Sequence, residues 1–209
     1  NMSASPPTPL STEGWTPLFP LGTVLFPDGF LPLRIFETRY IDMTRRALKS
    51  HEPFGVCLIR EGREVGGVAQ PHPTGTLAQI TECDMQQLGV LQVKTRGGAR
   101  FRILEQSANS QGLALARIET LPPEEDSVPA PEYAPCVDLL KRIIAEQKSA
   151  PVFLEPYRYE SASWVGYRLA EILPIPMTAK QKLLELDDAP TRLQILFRFL
   201  EQRGLTGKK

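Results

Sequence analysis

Residues 17–40, PLFPLGTVLFPDGFLPLRIFETRY, decide the fold of this chain. The segment is mostly apolar and must lie in a core, but it also contains prolines at positions 17, 20, 27 and 32. Each proline fixes φ, lacks an N–H and favours extended geometry in the residue before it, which excludes a single helix or one long central strand. The pattern therefore predicts short strands joined by tight corners, one of them at Pro27-Asp28-Gly29.

The residues that follow predict one helix and then several strands. Residues 37–50 place apolar side chains at helical spacing, and residues 54–60 form a short apolar run typical of a buried strand. Between residues 76 and 120, four strand-length runs are separated by turn residues, and parts of them alternate apolar and polar side chains. We interpret the step at Gly97-Gly98 as a hairpin turn between two of these strands.

A proline-rich segment divides the chain into a β-rich part and a helical part. Residues 121–135, LPPEEDSVPAPEYAP, contain five prolines and a cluster of acids. Beyond this segment apolar residues recur at helical spacing, Thr178-x-x-Gln181 has the form of a capping box, and Asp188 is placed to cap a further helix. We predict a flexible tail (1–14), a β domain with one short helix (15–122), a proline-rich linker (123–135) and a helical part (136–205).

The composition is that of an ordinary globular protein. The 209 residues include 24 Lys and Arg and 24 Asp and Glu, so the formal net charge of zero argues against nucleic acid or an anionic membrane as the main partner. No apolar run approaches the roughly 18 residues of a membrane span, and the first residues lack the features of a signal peptide. Cys57, Cys83 and Cys136 form neither a disulfide framework nor a metal motif, which predicts a cytoplasmic location.

An ordered set of motifs resembles a known family. LFPL (18–21), LFP (25–27) and LPLRIFE-x-RY (31–40) are followed by FGVCLIREG (54–62) and Glu64-Val65-Gly66-Gly67, with further matches at 75–80, 98–103, 180–185 and 192–193. Together they resemble the amino-terminal, substrate-binding domain of Lon proteases, and most of all the small stand-alone bacterial proteins of that family. The resemblance covers roughly residues 15 to 200. It implies a PUA-like β pseudo-barrel and binding of polypeptides.

The sequence predicts no catalytic residues, no metal and no cofactor. The end of the chain, from Gly204 to Lys209, lacks the spacing of a phosphate-binding loop, and no G-x-S-x-G motif occurs. The two histidines, His51 and His72, have no nearby ligands at metal-binding spacing, so we interpret them as surface residues. Cys57 lies in an apolar run, which predicts a buried and unreactive thiol.

Two groups of residues are candidates for binding. Arg34, Glu37 and Arg39 are polar groups inside a core-forming stretch: they either form a structural ion pair or provide a polar handle at the edge of a peptide-binding cleft. Tyr157 and Trp164 belong to an aromatic-rich segment, residues 151–167, which either forms a recognition surface or seals the joint between the two parts of the chain.

We therefore predict an α+β protein in which a PUA-like β pseudo-barrel is followed by a C-terminal helical bundle. Its predicted function is non-catalytic binding of polypeptide clients or a protein partner, as in the substrate-recognition domain of Lon but without ATPase or peptidase. One alternative is an RNA-binding PUA-like module that uses a basic strand face; its residues are Lys94, Arg96, Arg100 and Arg102. Another is a hydrolase whose site would show a perturbed pKa in a cleft. The oligomeric state is left open.

Overall fold

A computed structural model describes residues 14–67, 69–147 and 153–206. In this part of the chain a sheet of seven strands and five α-helices give a fold of mixed α and β content. The predicted tail lies, apart from Gly14, outside the described residues. The described residues form two compact units, the first containing residues 14–25, 30–67 and 69–122 and the second containing residues 26–29, 123–147 and 153–206. No helix in the described ranges is both long enough and apolar enough to cross a membrane.

The first unit contains all seven strands and one helix. The strands are β1 (Thr16–Leu21), β2 (Phe30–Ile35), β3 (Phe54–Glu61), β4 (Gln70–Pro71), β5 (Thr74–Gln87), β6 (Val90–Ala108) and β7 (Ala114–Thr120), and helix α1 is Thr38–Ser50. The second unit contains a 3₁₀ helix (Pro131–Tyr133) and the helices α2 (Ala134–Ala145), α3 (Ala162–Ile172), α4 (Met177–Glu185) and α5 (Ala189–Gln202).

Five of the strands pair in a closed circuit. β1 pairs with β7, β7 with β6, β6 with β5 and β5 with β3, all antiparallel, and β3 returns to β1 in parallel, with Phe19 opposite Val56. β4 pairs with β3, and β2 pairs with β6 outside the circuit, with Leu33 opposite Val93. Because β2 stands outside the circuit, it is attached to the sheet along one edge, by its pairing with β6.

The opening segment folds as two short strands with a corner between them, as its prolines predict. The N–H of Gly29 donates to the carbonyl of Phe26 at 2.9 Å and closes the turn. The residue with positive φ is Asp28, at 61°, and not Gly29. Asp is among the few residues that tolerate the left-handed region. The sequence therefore predicts the turn, but not which of its residues has a positive φ.

The predicted hairpin at Gly97-Gly98 is wrong, because β6 runs through both glycines without a turn. Thr76 of β5 lies opposite Arg100, whereas Ala78 lies opposite Gly97, so β6 carries one residue more than β5 between these pairs. The two glycines therefore mark a β-bulge, which a strand glycine accommodates as readily as a turn. The actual turns of the meander contain Gly89 and Gly112, both with positive φ.

Consecutive residues of the strands bury their side chains in two different clusters. In β1, Phe19 joins a large cluster that also contains Tyr40 of α1, whereas Leu18 joins a smaller one with Cys57 and Phe101. This division follows from the alternation of side chains along a strand. The packing around the small cluster also requires glycine at position 75, because a Cβ there would lie 2.3 Å from the carbonyl oxygen of Val56.

In the second unit, two of the helix starts use side-chain caps. Asp188 caps α5 as predicted, since its carboxylate accepts a hydrogen bond from the N–H of Thr191 at 3.1 Å. Ser161 caps α3 by accepting from the N–H of Trp164 at 3.0 Å. The predicted capping box at Thr178 is wrong: α4 begins at Met177 after Pro176 and its start has no side-chain cap.

The acids of the segment predicted as a linker (123–135) are hydrogen-bonded within the second unit. Asp126 accepts from the hydroxyl of Ser161 and from the N–H of Ser163, while Glu124 accepts from the hydroxyl of Ser163 at 2.6 Å. The end of the segment contains the 3₁₀ helix and the first two residues of α2. The segment is therefore anchored to its neighbours in the second unit rather than acting only as a spacer.

Candidate functional site

A groove with a volume of about 330 Å³ lies beside β2 in the first unit, and we call it the β2 groove. Its walls come from β1 and the residues after it, from β2 beginning at Leu31 and the residues that lead into α1, and from the loop between β3 and β4. The lining residues are Phe19, Leu21, Thr23, Leu31–Glu37, Tyr40, Glu64 and Val65. Most of these side chains are apolar, as expected for a surface that binds other apolar groups.

The β2 groove follows the edge of a strand. Seven consecutive residues, from Leu31 to Glu37, line it. Side chains alternate between the two faces of a strand, so a groove that touches every residue in turn must run along its edge. Among the described residues β2 pairs only with β6, which leaves the backbone of this other edge without a strand partner.

A second, more open recess adjoins the β2 groove and shares Phe36 and Glu37 with it. Its volume is about 700 Å³. The remaining walls come from the start of α1 and from two loops, with Thr38, Arg39, Gly66, Gly67, Gln111 and Gly112 as the lining residues. The two depressions together surround the sequence that connects β2 to α1.

Glu37 and Arg39 tie the two loops to the start of α1. The Oε1 atom of Glu37 accepts from the N–H of Gly66 at 3.1 Å and lies 3.5 Å from Nη2 of Arg39. Arg39 in turn donates from Nη1 to the carbonyl of Gly112 at 2.9 Å and from Nη2 to the carbonyl of Gly67 at 3.3 Å. The structural interpretation of these two residues therefore accounts for their contacts, and the pair also lines the candidate site.

Stacked aromatic rings support the floor of the β2 groove. The rings of Phe19 and Tyr40 stack with their centroids 4.1 Å apart, and the guanidinium carbon of Arg39 lies 4.7 Å from the Tyr40 centroid. Burial raises the pKa of the Tyr40 hydroxyl, so the ring presents a neutral surface at physiological pH. The floor is thus rigid and uncharged.

Two apolar side chains are exposed at the rim of the β2 groove. The exposed fraction is 46% for Phe36 and 54% for Val65. Val65 is held between two anchored neighbours, because Glu64 accepts a hydrogen bond from the N–H of Gly22 and Gly66 donates to Glu37. Sequence reasoning did not select Val65 as a site residue, although Glu64-Val65-Gly66-Gly67 was among the motifs that carried the family resemblance.

Arg34 does not join the predicted polar cluster. It lies on the exposed face of β2, and its guanidinium carbon is 5.7 Å from the centroid of the Phe36 ring. Glu37 pairs with Arg39 instead. The structure therefore brings two of the three predicted polar residues together and leaves the third at the rim of the same groove.

Tyr157 and Trp164 contact each other in the second unit. Their ring centroids are 6.0 Å apart, and Tyr159 completes the group at 6.2 Å from Tyr157 and 5.6 Å from Trp164. Trp164 is only 4% exposed, whereas Tyr157 is 36% exposed. Trp164 is therefore the buried member of this group, and the two tyrosines are the members that a partner could reach.

Burial shifts the pKa of a thiol, a carboxyl and an amine that lie outside the β2 groove. Burial raises the pKa of the Cys57 thiol to about 12, as its apolar surroundings predict. Burial raises the pKa of Glu171 and lowers that of Lys180, but Arg168 donates to the Glu171 carboxylate and neither residue lines the β2 groove. In the described ranges no cluster of three or more His, Cys, Asp or Glu side chains could hold a metal.

The basic residues of the strands are mostly paired or buried. Lys94 forms an ion pair with Glu82 at 3.0 Å, and Arg102 lies 3.7 Å from the carboxylate of Glu119. Arg100 is only 5% exposed. Carboxylates thus lie beside two of the four basic residues that the RNA-binding alternative requires, and a third is buried.

Comparison with known proteins gives a consistent result. Residues 15–202 match the family described as the ATP-dependent protease La (LON) substrate-binding domain. The Lon protease of Anaeromyxobacter dehalogenans is 26% identical over 195 residues, which cover 90% of this chain and 23% of that protein. The chain thus corresponds to about a quarter of the length of this relative.

Solved structures show the same relationship. A crystal structure of a Lon N-terminal domain protein from Xanthomonas campestris matches with a TM-score of 0.73 and 33% identity, over 88% of this chain and 97% of that chain. The N-terminal domain of the Mycobacterium avium complex Lon protease matches with a TM-score of 0.64 and 16% identity, over 93% and 98% of the two chains. At 16% identity the second likeness supports the fold alone.

Proposed function

Because the chain belongs to the family of Lon substrate-binding domains, we propose that it is a non-catalytic module that binds polypeptide clients in the β2 groove. The observation that carries this proposal is the exposure of Phe36 and Val65, which both line a groove whose lining residues are mostly apolar. Removing apolar side chains from water provides the driving force for binding, at about 25 cal/mol per Å².

The edge of β2 favours an extended client. An unpaired strand edge can add a further strand through main-chain hydrogen bonds, while the adjacent groove accepts the client's side chains. Pro32 lies within this edge strand and has no N–H to donate, so an added strand would form an incomplete ladder. Incomplete pairing favours weak and exchangeable binding, as a module that samples many clients requires.

The finer description of the fold is part of the same proposal. The closed circuit of five strands supports a PUA-like pseudo-barrel for residues 15–122, and helices α2 to α5 support a helical bundle for residues 136–205. Cys57, Cys83 and Cys136 are free thiols, in keeping with the reducing cytoplasm that we propose as the location. The ion pairs of the basic strand residues favour a polypeptide over RNA as the partner.

The proposal is tested by measuring binding to a permanently unfolded protein. We would titrate the chain into fluorescently labelled, reduced and carboxymethylated α-lactalbumin and follow the anisotropy. The double variant Phe36→Ser, Val65→Ser should weaken binding at least tenfold, because it removes both exposed apolar side chains at the rim. Native α-lactalbumin should not bind.

The matched control is Leu88→Ser, which removes an apolar side chain that is 94% exposed in the turn before β6 and does not line the β2 groove. It should bind as the wild type does. Absence of binding by the wild type, or equal binding by the double variant, would overturn the assignment of the groove. Tyr157→Ser in the same assay tests the aromatic group of the second unit separately.

A further inference from the structure

The charged side chains that line the β2 groove differ in whether they have a hydrogen-bond or ion-pair partner within the protein. Glu37 is bonded to Gly66 and paired with Arg39, and Glu64 accepts from the N–H of Gly22. Both carboxylates therefore have partners within the protein, and Glu37 is also paired with a cation. In the part of the chain that the structure describes, Arg34 has no carboxylate within ion-pair distance, and its guanidinium lies over the Phe36 ring.

Arg34 and Phe36 form one composite surface at the rim. Both lie on the solvent-exposed face at the end of β2, with the guanidinium carbon 5.7 Å from the ring centroid. A guanidinium beside an aromatic ring keeps its N–H donors directed to the outside, where a planar carboxylate can accept two of them. An apolar contact and a site for an anion therefore lie side by side.

We propose that the β2 groove selects client segments in which an apolar side chain lies within about two residues of a carboxylate. The spacing follows from the 5.7 Å separation and from the roughly 3.3 Å rise per residue of an extended chain. The apolar side chain contacts Phe36 and the floor of the groove, and the carboxylate pairs with Arg34. This inference rests on the proposed function and adds the chemistry of its substrate.

The carboxylate has two possible sources in a polypeptide. It is either the α-carboxylate of a chain that ends in an apolar residue or the side chain of Asp or Glu beside an apolar residue. Both present the same group to Arg34. They differ in the geometry of approach, because the terminal carboxylate needs an open end of the groove.

The test uses three fluorescein-labelled Gly-Ser peptides that share the sequence Leu-Phe near their end. The first ends in Phe with a free carboxylate, the second is its C-terminal amide, and the third continues with Asp-Gly-amide. A carboxylate should strengthen binding roughly three- to tenfold relative to the amide, as expected for a charge-assisted contact at a partly exposed site. The gain should diminish with added salt.

Arg34→Gln should remove this advantage, so that the carboxylate and amide peptides bind this variant equally, while Arg34→Lys should retain part of it. Arg102→Gln removes the same charge from an exposed position outside the groove and should leave the advantage intact. The first and third peptides distinguish the terminal from the side-chain carboxylate. Equal affinities for all three, or an advantage that survives Arg34→Gln, would overturn the inference, whereas failure of the amide peptide to bind would count against the proposed function itself.

Discussion

Arg192 and Glu124 form a buried, two-pronged ion pair in the second unit. Nη1 of the arginine lies 2.6 Å from Oε1 of the glutamate, and Nη2 donates to Oε2 at 2.9 Å. The side chains are 0% and 3% exposed. Arg192 also donates to the carbonyls of Leu183 and Leu186, and its guanidinium carbon lies 4.1 Å from the Tyr167 ring centroid. One residue of the proline-rich segment thus satisfies a charge inside the helical unit.

Glu124→Gln should destabilise the second unit by about 3 kcal/mol, because it leaves the buried guanidinium without a compensating charge. The free energy of unfolding is measured by urea denaturation, followed through the fluorescence of Trp164 in a Trp15→Phe background. The neighbouring Glu125→Gln makes the same chemical change at an exposed position and should cost less than about 0.5 kcal/mol. Equal stability of the two variants would show that the pair contributes no net stability.

Two features that act over a few residues were predicted well, although the equally local capping box at Thr178 was not. The cap at Asp188 and the corner at residues 27–29 depend on groups close together in the chain, and both form as expected. The bulge at Gly97-Gly98 depends on β5, a strand that pairs with it from a distance in sequence, and the glycines alone could not distinguish it from a turn.

In the candidate site, too, contacts between residues that are distant in the sequence were not predicted. Arg34, Glu37 and Arg39 were located from the sequence because charges are rare in a core-forming stretch. Their partners were not, because Gly67 and Gly112 lie 28 and 73 residues away from Arg39 along the chain. Val65 was missed for the same reason, since a valine in a loop is ordinary until the fold places it beside a groove.

Gly75→Ala should destabilise the first unit strongly. The added Cβ would lie 2.3 Å from the carbonyl oxygen of Val56 and 2.8 Å from the buried ring of Phe101, and the carbonyl cannot move without disturbing the pairing of β3 with β5. We expect the melting temperature to fall by roughly 10 °C or more, as measured by circular dichroism.

The control for this substitution is Gly98→Ala, where the nearest atom to the added Cβ is the carbonyl oxygen of Leu77 at an ordinary 3.6 Å. Its melting temperature should stay within a few degrees of the wild type, since the bulge offers room for a methyl group. A larger loss for Gly98→Ala than for Gly75→Ala would contradict the packing described here for Phe101.

One cysteine of the folded protein should react with a thiol reagent, and three after denaturation. Burial raises the pKa of Cys57 and of Cys136 to about 12 each, so at pH 8 only about one in ten thousand of these thiols is ionised, whereas Cys83 is exposed. Peptide mapping after brief alkylation identifies the modified residue. Rapid labelling of Cys57 in the native protein would contradict its burial.

The same shifts make stability depend on pH in the alkaline range. The unfolded chain releases the protons of these thiols near their ordinary pKa of 9.0, whereas the folded protein retains them to about pH 12. Because the folded state then binds more protons, stability should fall as the pH rises from 9 towards 12. Replacing Cys136 with Ala should reduce this slope, and urea denaturation at several pH values measures it.

Arg39→Gln should loosen both loops that border the candidate site. The arginine donates to the carbonyls of Gly67 and Gly112 and pairs with Glu37, and the shorter, neutral side chain cannot reproduce all three contacts. We expect amide hydrogen exchange in residues 62–67 and 109–113 to accelerate roughly tenfold, as the loss of one or two charge-assisted hydrogen bonds implies.

Arg34→Gln removes a cation from the same groove without touching either loop, so its exchange pattern should match the wild type. The Arg39 variant should also bind the unfolded client more weakly, because Val65 would lose its fixed position. Unchanged exchange would mean that the hydrogen bonds from the N–H of Gly66 to Glu37 and from the N–H of Gly22 to Glu64 hold the first loop without the arginine.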